Sequence, residues 1–234
     1  MTFSRWRAAG NEYLLAERTD LGGPLTPERA RAEAGSADGI LEVVAVDGNE
    51  AEIVIWNPDG SVAEMSGNGT RIVARWLSER CGEAQVGVRV GDLVVSARVL
   101  PGGEIEQEIG PVEVYERERV AGLQVVPVRV GNPHAVVVGD PDDIGLIGPL
   151  LETHPRFPNR TNVQVARVDG PGRVTARVWE RGVGETLSSG TSAVAVAAAT
   201  HGEGDVVVAF PGGELRVRLE SGRAWLTGPA ERIE

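Results

Sequence analysis

The 234-residue sequence contains no lysine, and all 23 of its basic residues are arginine. Pyridoxal-phosphate enzymes work through a Schiff base to a lysine amine. This chain cannot supply one, so any amino-acid chemistry it performs is expected to be cofactor-independent or to use something other than pyridoxal phosphate. Cysteine is nearly absent. Cys81 stands alone, which excludes an intrachain disulfide and a cysteine-based metal cluster. In Ser78-Glu79-Arg80-Cys81 it reads as an ordinary thiol near a helix end. His134, His154 and His201 are scattered, without metal-ligand spacing, so no metal is expected. No uninterrupted apolar run approaches the roughly 18 residues of a membrane span. Met1 to Arg7 lacks the apolar core of a signal peptide, and the expected location is cytoplasmic. The phosphate-loop ending does not follow Gly67-Asn68-Gly69, and no nucleophile elbow with triad order stands out. A formal net charge of −11 disfavours nucleic acid and anionic membranes as partners. A small molecule is left as the expected ligand.

The composition that remains, 41% apolar and 24% charged, suits a globular chain with a sizeable core. Two short stretches echo each other inside it. Ser66-Gly67-Asn68-Gly69-Thr70 precedes the apolar run Ile72-Val73-Ala74, and Ser189-Gly190-Thr191-Ser192 precedes Ala193-Val194-Ala195-Val196. A serine before a helix is a favoured N-cap. Free N–H groups and the positive dipole end gather at the same place, so each stretch is a candidate anion pocket. Their serines lie 123 positions apart, which suggests a duplicated fold.

The rest of the chain fits that duplication. Residues 1–20 read as a strand interrupted from Ala8 to Tyr13. Pro24 to Ala34 reads as a helix with Thr26 as cap and Pro27 in its first turn. Ile40–Val46 and Ala51–Trp56 form a hairpin. In the second half, Val125 to Val130 is a strand ended by Gly131-Asn132-Pro133-His134, and Ala135 to Val138 resumes it. Pro141 to Leu151 suggests a short helix, Val163–Val168 and Val174–Trp179 are strands, and Asp205–Phe210 pairs with Leu215–Leu219. The helix after Ser189 is almost pure alanine and valine, as expected of a helix buried on every side.

Four groups of residues could carry chemistry. The two serine stretches come first. Asn11, Asn57, Asn132 and Asn162 stand beside turns; each could serve its own turn, and their amides can also hold both the ammonium and the carboxylate of an amino acid. Glu180-Arg181 offers a carboxylate for an ammonium and a bidentate guanidinium for a carboxylate; alone, the pair would read as an exposed ion pair. His134 follows Asn132-Pro133, where a structural role is the commoner one.

Taken together, these segments resemble the diaminopimelate epimerase family. The resemblance rests on Gly10-Asn11, Ala37-Asp38-Gly39, Asn57-Pro58-Asp59-Gly60-Ser61, Met65 to Arg71, Gly131-Asn132-Pro133-His134, Phe157 to Val163, and Trp179 through Thr191. These run in one order across nearly the whole chain, with several loops trimmed. The resemblance implies an α/β (α+β) fold of two pseudo-symmetric domains, each a mostly antiparallel sheet wrapped around a central helix, with the site between them. The expected halves are residues 1–114, joined by a last strand at about 221–234, and residues 115–220. It implies cofactor-independent inversion at an amino acid's α-carbon by two bases, LL-diaminopimelate giving the meso form, in lysine and peptidoglycan precursor biosynthesis, and often a homodimer. It assigns Asn11, Asn57, Asn132, Asn162, Glu180 and Arg181 to the distal end of the substrate. Gly67, Asn68, Gly190 and Thr191 fall to the reacting carboxylate, with His134 nearby. The two proton-carrying positions match Ser66 and Ser189, where the family has cysteines. A thiol is far more acidic than an alkyl hydroxyl. Two other readings therefore stand beside the epimerase: an amino-acid-binding homologue without activity, and a racemase or isomerase of the same superfamily with another substrate.

Overall fold

The computed structural model describes residues 3–234. Met1 and Thr2, at the start of the first expected strand, lie outside the described residues. The chain divides into two compact units, Met1–Glu108 with Thr227–Glu234, and Ile109–Leu226. Each is a mixed, mostly antiparallel sheet with two helices, and the two repeat one order of elements.

In the first unit, strand Ser4–Ala8 turns back into Asn11–Glu17, with Ala9 and Gly10 both at positive φ (45° and 84°). A tight two-residue turn of this kind matches the twist of the strands it joins. Strand character therefore resumes at Asn11, and the expected interruption through Tyr13 is corrected: Trp6 pairs with Tyr13. Helix α1 (Pro27–Ala34) is capped by Thr26 Oγ1, which accepts the Arg29 N–H at 3.3 Å. It leads to strand Gly39–Asp47, which runs parallel to Asn11–Glu17 with Tyr13 opposite Gly39. Strand Glu50–Trp56 completes the hairpin. Helix α2 (Gly67–Cys81) follows, then the antiparallel strands Gln85–Val90 and Leu93–Val99. Ile72, Val73, Ala74 and Leu77 of α2 are buried among Leu15, Leu41, Ile53, Ile55 and Val88. Ile72, Val73 and Leu77 each contribute about 1.5–3 kcal/mol by leaving water.

The second unit repeats this order. Leu123–Val130 and Asn132–Val138 form a hairpin. Asn132, Pro133 and His134 thus lie within the second strand, Asn132 opposite Val130. The expected break there shrinks to Gly131, whose φ of 71° suits a glycine. A 3₁₀ turn at Pro141–Asp143 enters α3 (Ile144–Glu152), which precedes strand Asn162–Gly170. That strand lies parallel to Asn132–Val138, with His134 opposite Asn162. Arg173–Glu180 forms the next hairpin. Helix α4 (Gly190–Thr200) then touches six strands of its own unit: Leu123–Val130, Asn132–Val138, Asn162–Gly170, Arg173–Glu180, Gly204–Phe210 and Gly213–Glu220. With sheet on every side, only small apolar residues fit, and Ala193 to Ala198 are all buried. In this correspondence Asn11 and Tyr13 of the first unit match Asn132 and His134 of the second, and Ser66 matches Ser189. No helix among the described residues is long and apolar enough to cross a membrane.

Candidate active site

Ser66 stands at the N-cap of α2 in extended conformation, and its Oγ accepts the Gly69 N–H at 3.0 Å. Gly69 is glycine for a reason of space: a Cβ there would fall 2.9 Å from Leu41 Cδ2 and 3.3 Å from Ser66 Oγ. The Ser66 hydroxyl also lies 3.0 Å from the hydroxyl of Tyr13. Asn68 Nδ2 donates to Asn11 Oδ1 at 2.5 Å, and Asn68 Oδ1 accepts from Arg71. Ser66, Gly67, Asn68, Asn11 and Tyr13 thus form one cluster at the start of α2. Asn57 is engaged in its own turn, where its Nδ2 donates to Ser61 Oγ at 2.9 Å and its carbonyl accepts the Gly60 N–H.

Arg71 is fully buried. Burial pushes its guanidinium down to about 10, while a negative charge on Tyr13 would act in the opposite sense. It remains a cation at neutral pH.

The second unit gathers its residues differently. Ser189 occupies the N-cap position of α4, yet its side chain caps no N–H, against the expectation. Its hydroxyl instead bonds to Glu180. Glu180 also accepts from Thr186 Oγ1 at 2.6 Å. Burial raises the Glu180 carboxyl above its ordinary value, with the Thr186 and Ser189 hydroxyls opposing. A half-buried carboxylate bonded to the serine is a base placed against that hydroxyl. Gly190 and Thr191 open the helix just beyond.

Asn162 braces the adjoining loop. Its Nδ2 donates to the Pro133 carbonyl at 3.0 Å, and its Oδ1 accepts the Arg181 N–H at 3.0 Å. Asn132 Oδ1 contacts His134 Nε2 at 2.7 Å, and Gln164 Nε2 contacts His134 Nδ1 at 3.0 Å and donates to Ser192 Oγ at 2.9 Å. These contacts assign the imidazole proton to Nε2. Burial holds His134 down to about 3, so it is neutral at physiological pH. Pro133, His134, Asn159, Arg181, Phe157 and Tyr115 line a cavity of about 460 Å³ within this unit.

The sequence pattern gives no site role to Tyr13, Arg71, Gln164 or Glu152. A polar residue inside an apolar strand or helix was the available signal: Glu12-Tyr13 before Leu14-Leu15, Arg71 before Ile72-Val73, and Gln164 between Val163 and Val165. Glu152 holds the loop after Glu180, accepting from Trp179 Nε1 and from the Gly182 N–H, each at 2.8 Å.

A family profile for diaminopimelate epimerase matches residues 10–114 and 126–233. The chain belongs to the diaminopimelate epimerase family. The diaminopimelate epimerase of a Synechocystis species is 34% identical, with 100% of this chain and 97% of that protein covered. That of Synechococcus elongatus is 35% identical, with 100% and 96% covered. Among solved structures, a predicted epimerase from Pseudomonas aeruginosa superposes with a TM-score of 0.75 at 14% identity, covering 99% of this chain and 96% of that one. A hydroxyproline epimerase from Agrobacterium vitis, solved with bound trans-4-OH-L-proline, gives 0.69 at 16% identity, covering 99% and 88%. At such identities the likeness is one of fold. It extends the two-unit fold of the diaminopimelate epimerase family to neighbouring epimerases and racemases.

Proposed function

We propose that this chain is a cofactor-independent amino-acid epimerase that interconverts LL- and meso-diaminopimelate, a step toward lysine and peptidoglycan precursors. The observation that carries the reading is the pairing of each serine with a titratable neighbour at the start of a buried helix: Ser66 with Tyr13, and Ser189 with Glu180. Two-base inversion needs one group to remove the α-proton while another delivers a proton to the opposite face. In this reading Ser66 and Ser189 are the two poles. The N–H groups of Gly67, Asn68, Gly190 and Thr191 hold the reacting carboxylate, whose charge suits a helix N-terminus. Asn11, Asn57, Asn132, Asn162 and Arg181 hold the distal amino-acid end, neutral His134 borders it, and Glu180 serves as the base at the Ser189 pole. The reading includes a cytoplasmic setting and a homodimer; a monomer mass by light scattering would remove the second.

The test is α-hydrogen exchange. LL-diaminopimelate incubated with the protein in deuterated water should lose its α-proton NMR signal and gain the meso isomer. The two hydroxyls where the family has thiols favour one second reading, a protein that binds the amino acid and leaves its α-carbon intact. Calorimetric binding without exchange would establish that alternative.

A further inference from the structure

A serine hydroxyl is a poor proton carrier by itself, because its proton is held far more tightly than a thiol's. What sets Ser66 apart is the phenol 3.0 Å away, in a hydrogen bond that either oxygen can donate. Tyr13 is firmly seated. It pairs with Trp6 on one side and Gly39 on the other. A Cβ on Gly39 would fall 2.9 Å from Tyr13 Cε1 and 2.5 Å from the Trp56 carbonyl, so only glycine leaves room for the ring in this place. On α2, Arg71 is wholly buried, and its Nε and Nη1 have no hydrogen-bond partner. A buried cation with orphaned donors is costly. Its charge is coupled to the Tyr13 phenol, whose ionised form would favour the cation. Trp6, Gly39, Ser66 and Asn68 of the same cluster carry no charge, and Arg71 is the cation coupled to Tyr13, a counter-charge for a phenolate.

We propose that Tyr13 moves the proton at the Ser66 pole, its phenolate receiving the Ser66 hydroxyl proton as Ser66 Oγ receives the α-proton of the substrate. The inference rests on the epimerase reading given above. The α-C–H bond breaks and its electron pair stays on the carbon, spreading into the adjoining carboxylate. One O–H bond forms at Ser66 as the old one breaks, and another forms at Tyr13. No free alkoxide is formed, and no oxidant or reductant enters. In the reverse direction the phenol returns its proton through Ser66. The correspondence of the two units places Tyr13 where the second unit has His134, so a side chain able to titrate occupies this strand position in both.

Tyr13→Phe keeps the ring and removes the hydroxyl. Its kcat for α-hydrogen exchange on LL-diaminopimelate should fall by about 100-fold or more, with KM changed less than about threefold. Ser66→Cys in the Tyr13→Phe background should restore exchange, because a thiol does not need the phenol. Exchange by Tyr13→Phe within about twofold of the parent would overturn the proposal. A second measurement needs no substrate. The chain has two tyrosines, Tyr13 and Tyr115. With tyrosine labelled at its ring carbon ζ, Tyr115→Phe leaves the Tyr13 NMR signal alone. That signal should report ionisation below the ordinary tyrosine value of about 10, and Arg71→Met should move it upward. A Tyr13 that keeps its proton beyond pH of about 10 overturns the proposal whatever the substrate. A low-ionising Tyr13 in a protein that exchanges no diaminopimelate supports the proton-carrier assignment and removes the substrate reading instead.

Discussion

Glu180 accepts the Thr186 hydroxyl at 2.6 Å on the same half-buried carboxylate that bonds Ser189. Burial disfavours the charged carboxylate, and the two hydroxyls favour it. A base must be deprotonated to act, so exchange should rise with pH through the raised Glu180 value. Thr186→Val removes one opposing hydrogen bond, and the acid limb of the kcat profile should move to higher pH. Glu180→Gln should abolish that limb together with most of the activity. An acid limb unmoved in Thr186→Val would count against Glu180 as the base. Stability runs the opposite way. The folded carboxyl binds its proton more tightly than the unfolded one, so this group's contribution falls as pH rises from the unfolded value of about 4.3 through the folded one.

His134 gives the opposite slope. Its folded value of about 3 lies well below that of a free histidine, about 6.5. Between these values the unfolded chain binds the extra proton, so stability is lost as pH falls from about 6.5 toward 3. The buried imidazole accounts for a loss on the order of 5 kcal/mol across that window. Urea unfolding of the parent and of His134→Gln at pH 7 and pH 4.5 measures the difference. The variant should show the shallower decline, and equal declines would contradict the neutral, buried histidine.

Two glycines of α3 should respond in opposite ways to the same change. Gly145 is exposed, and a Cβ there meets nothing within 4 Å. Gly145→Ala should stabilise the protein by about 0.5–1 kcal/mol through helix propensity. A Cβ on Gly148 would fall 2.7 Å from both Cβ and Cγ of Trp179. Gly148→Ala should cost about 1–3 kcal/mol by overpacking. Thermal unfolding of the two variants decides, and a loss at Gly145 as large as that at Gly148 would be inconsistent with this packing.

Glu152 ties α3 to the Glu180–Gly182 loop through Trp179 and the Gly182 amide. Glu152→Ala leaves both donors without their carboxylate and should cost about 2–4 kcal/mol. Its local signature is faster hydrogen exchange at the Gly182 amide. Unchanged protection there would show that the loop is held by something else.

How much of this could be read in advance differs from residue to residue. The Thr26 cap, the hairpins and the helices after Ser66 and Ser189 were visible because they depend on neighbours within a few positions: a hydroxyl before an apolar run, alternation along a strand, a glycine at a turn. Where an asparagine reads as a break, at Asn11 and Asn132, the strand continues, because ladder bonds to Ala8 and Val130 outweigh the local turn preference. The resemblance assigned Ser189 to the site, but the chain gave no sign that its hydroxyl would turn from the helix to Glu180.

The sequence by itself determined that no lysine or paired cysteine is available, that two serine-headed helices recur at matched spacing, and that the chain has the motifs of its family in order. These depend on composition and on short-range pattern. Only the tertiary structure decided what each serine touches. Tyr13 reaches Ser66 across 53 positions of chain, brought there by the two-residue turn at Ala9 and Gly10, the parallel pairing with Gly39, and the space Gly39 leaves open. Arg71 stands one helical turn beyond the cap, buried where no local rule would put a guanidinium. Hydrogen bonds between distant residues depend on register and packing, and neither is set by the residues next to them.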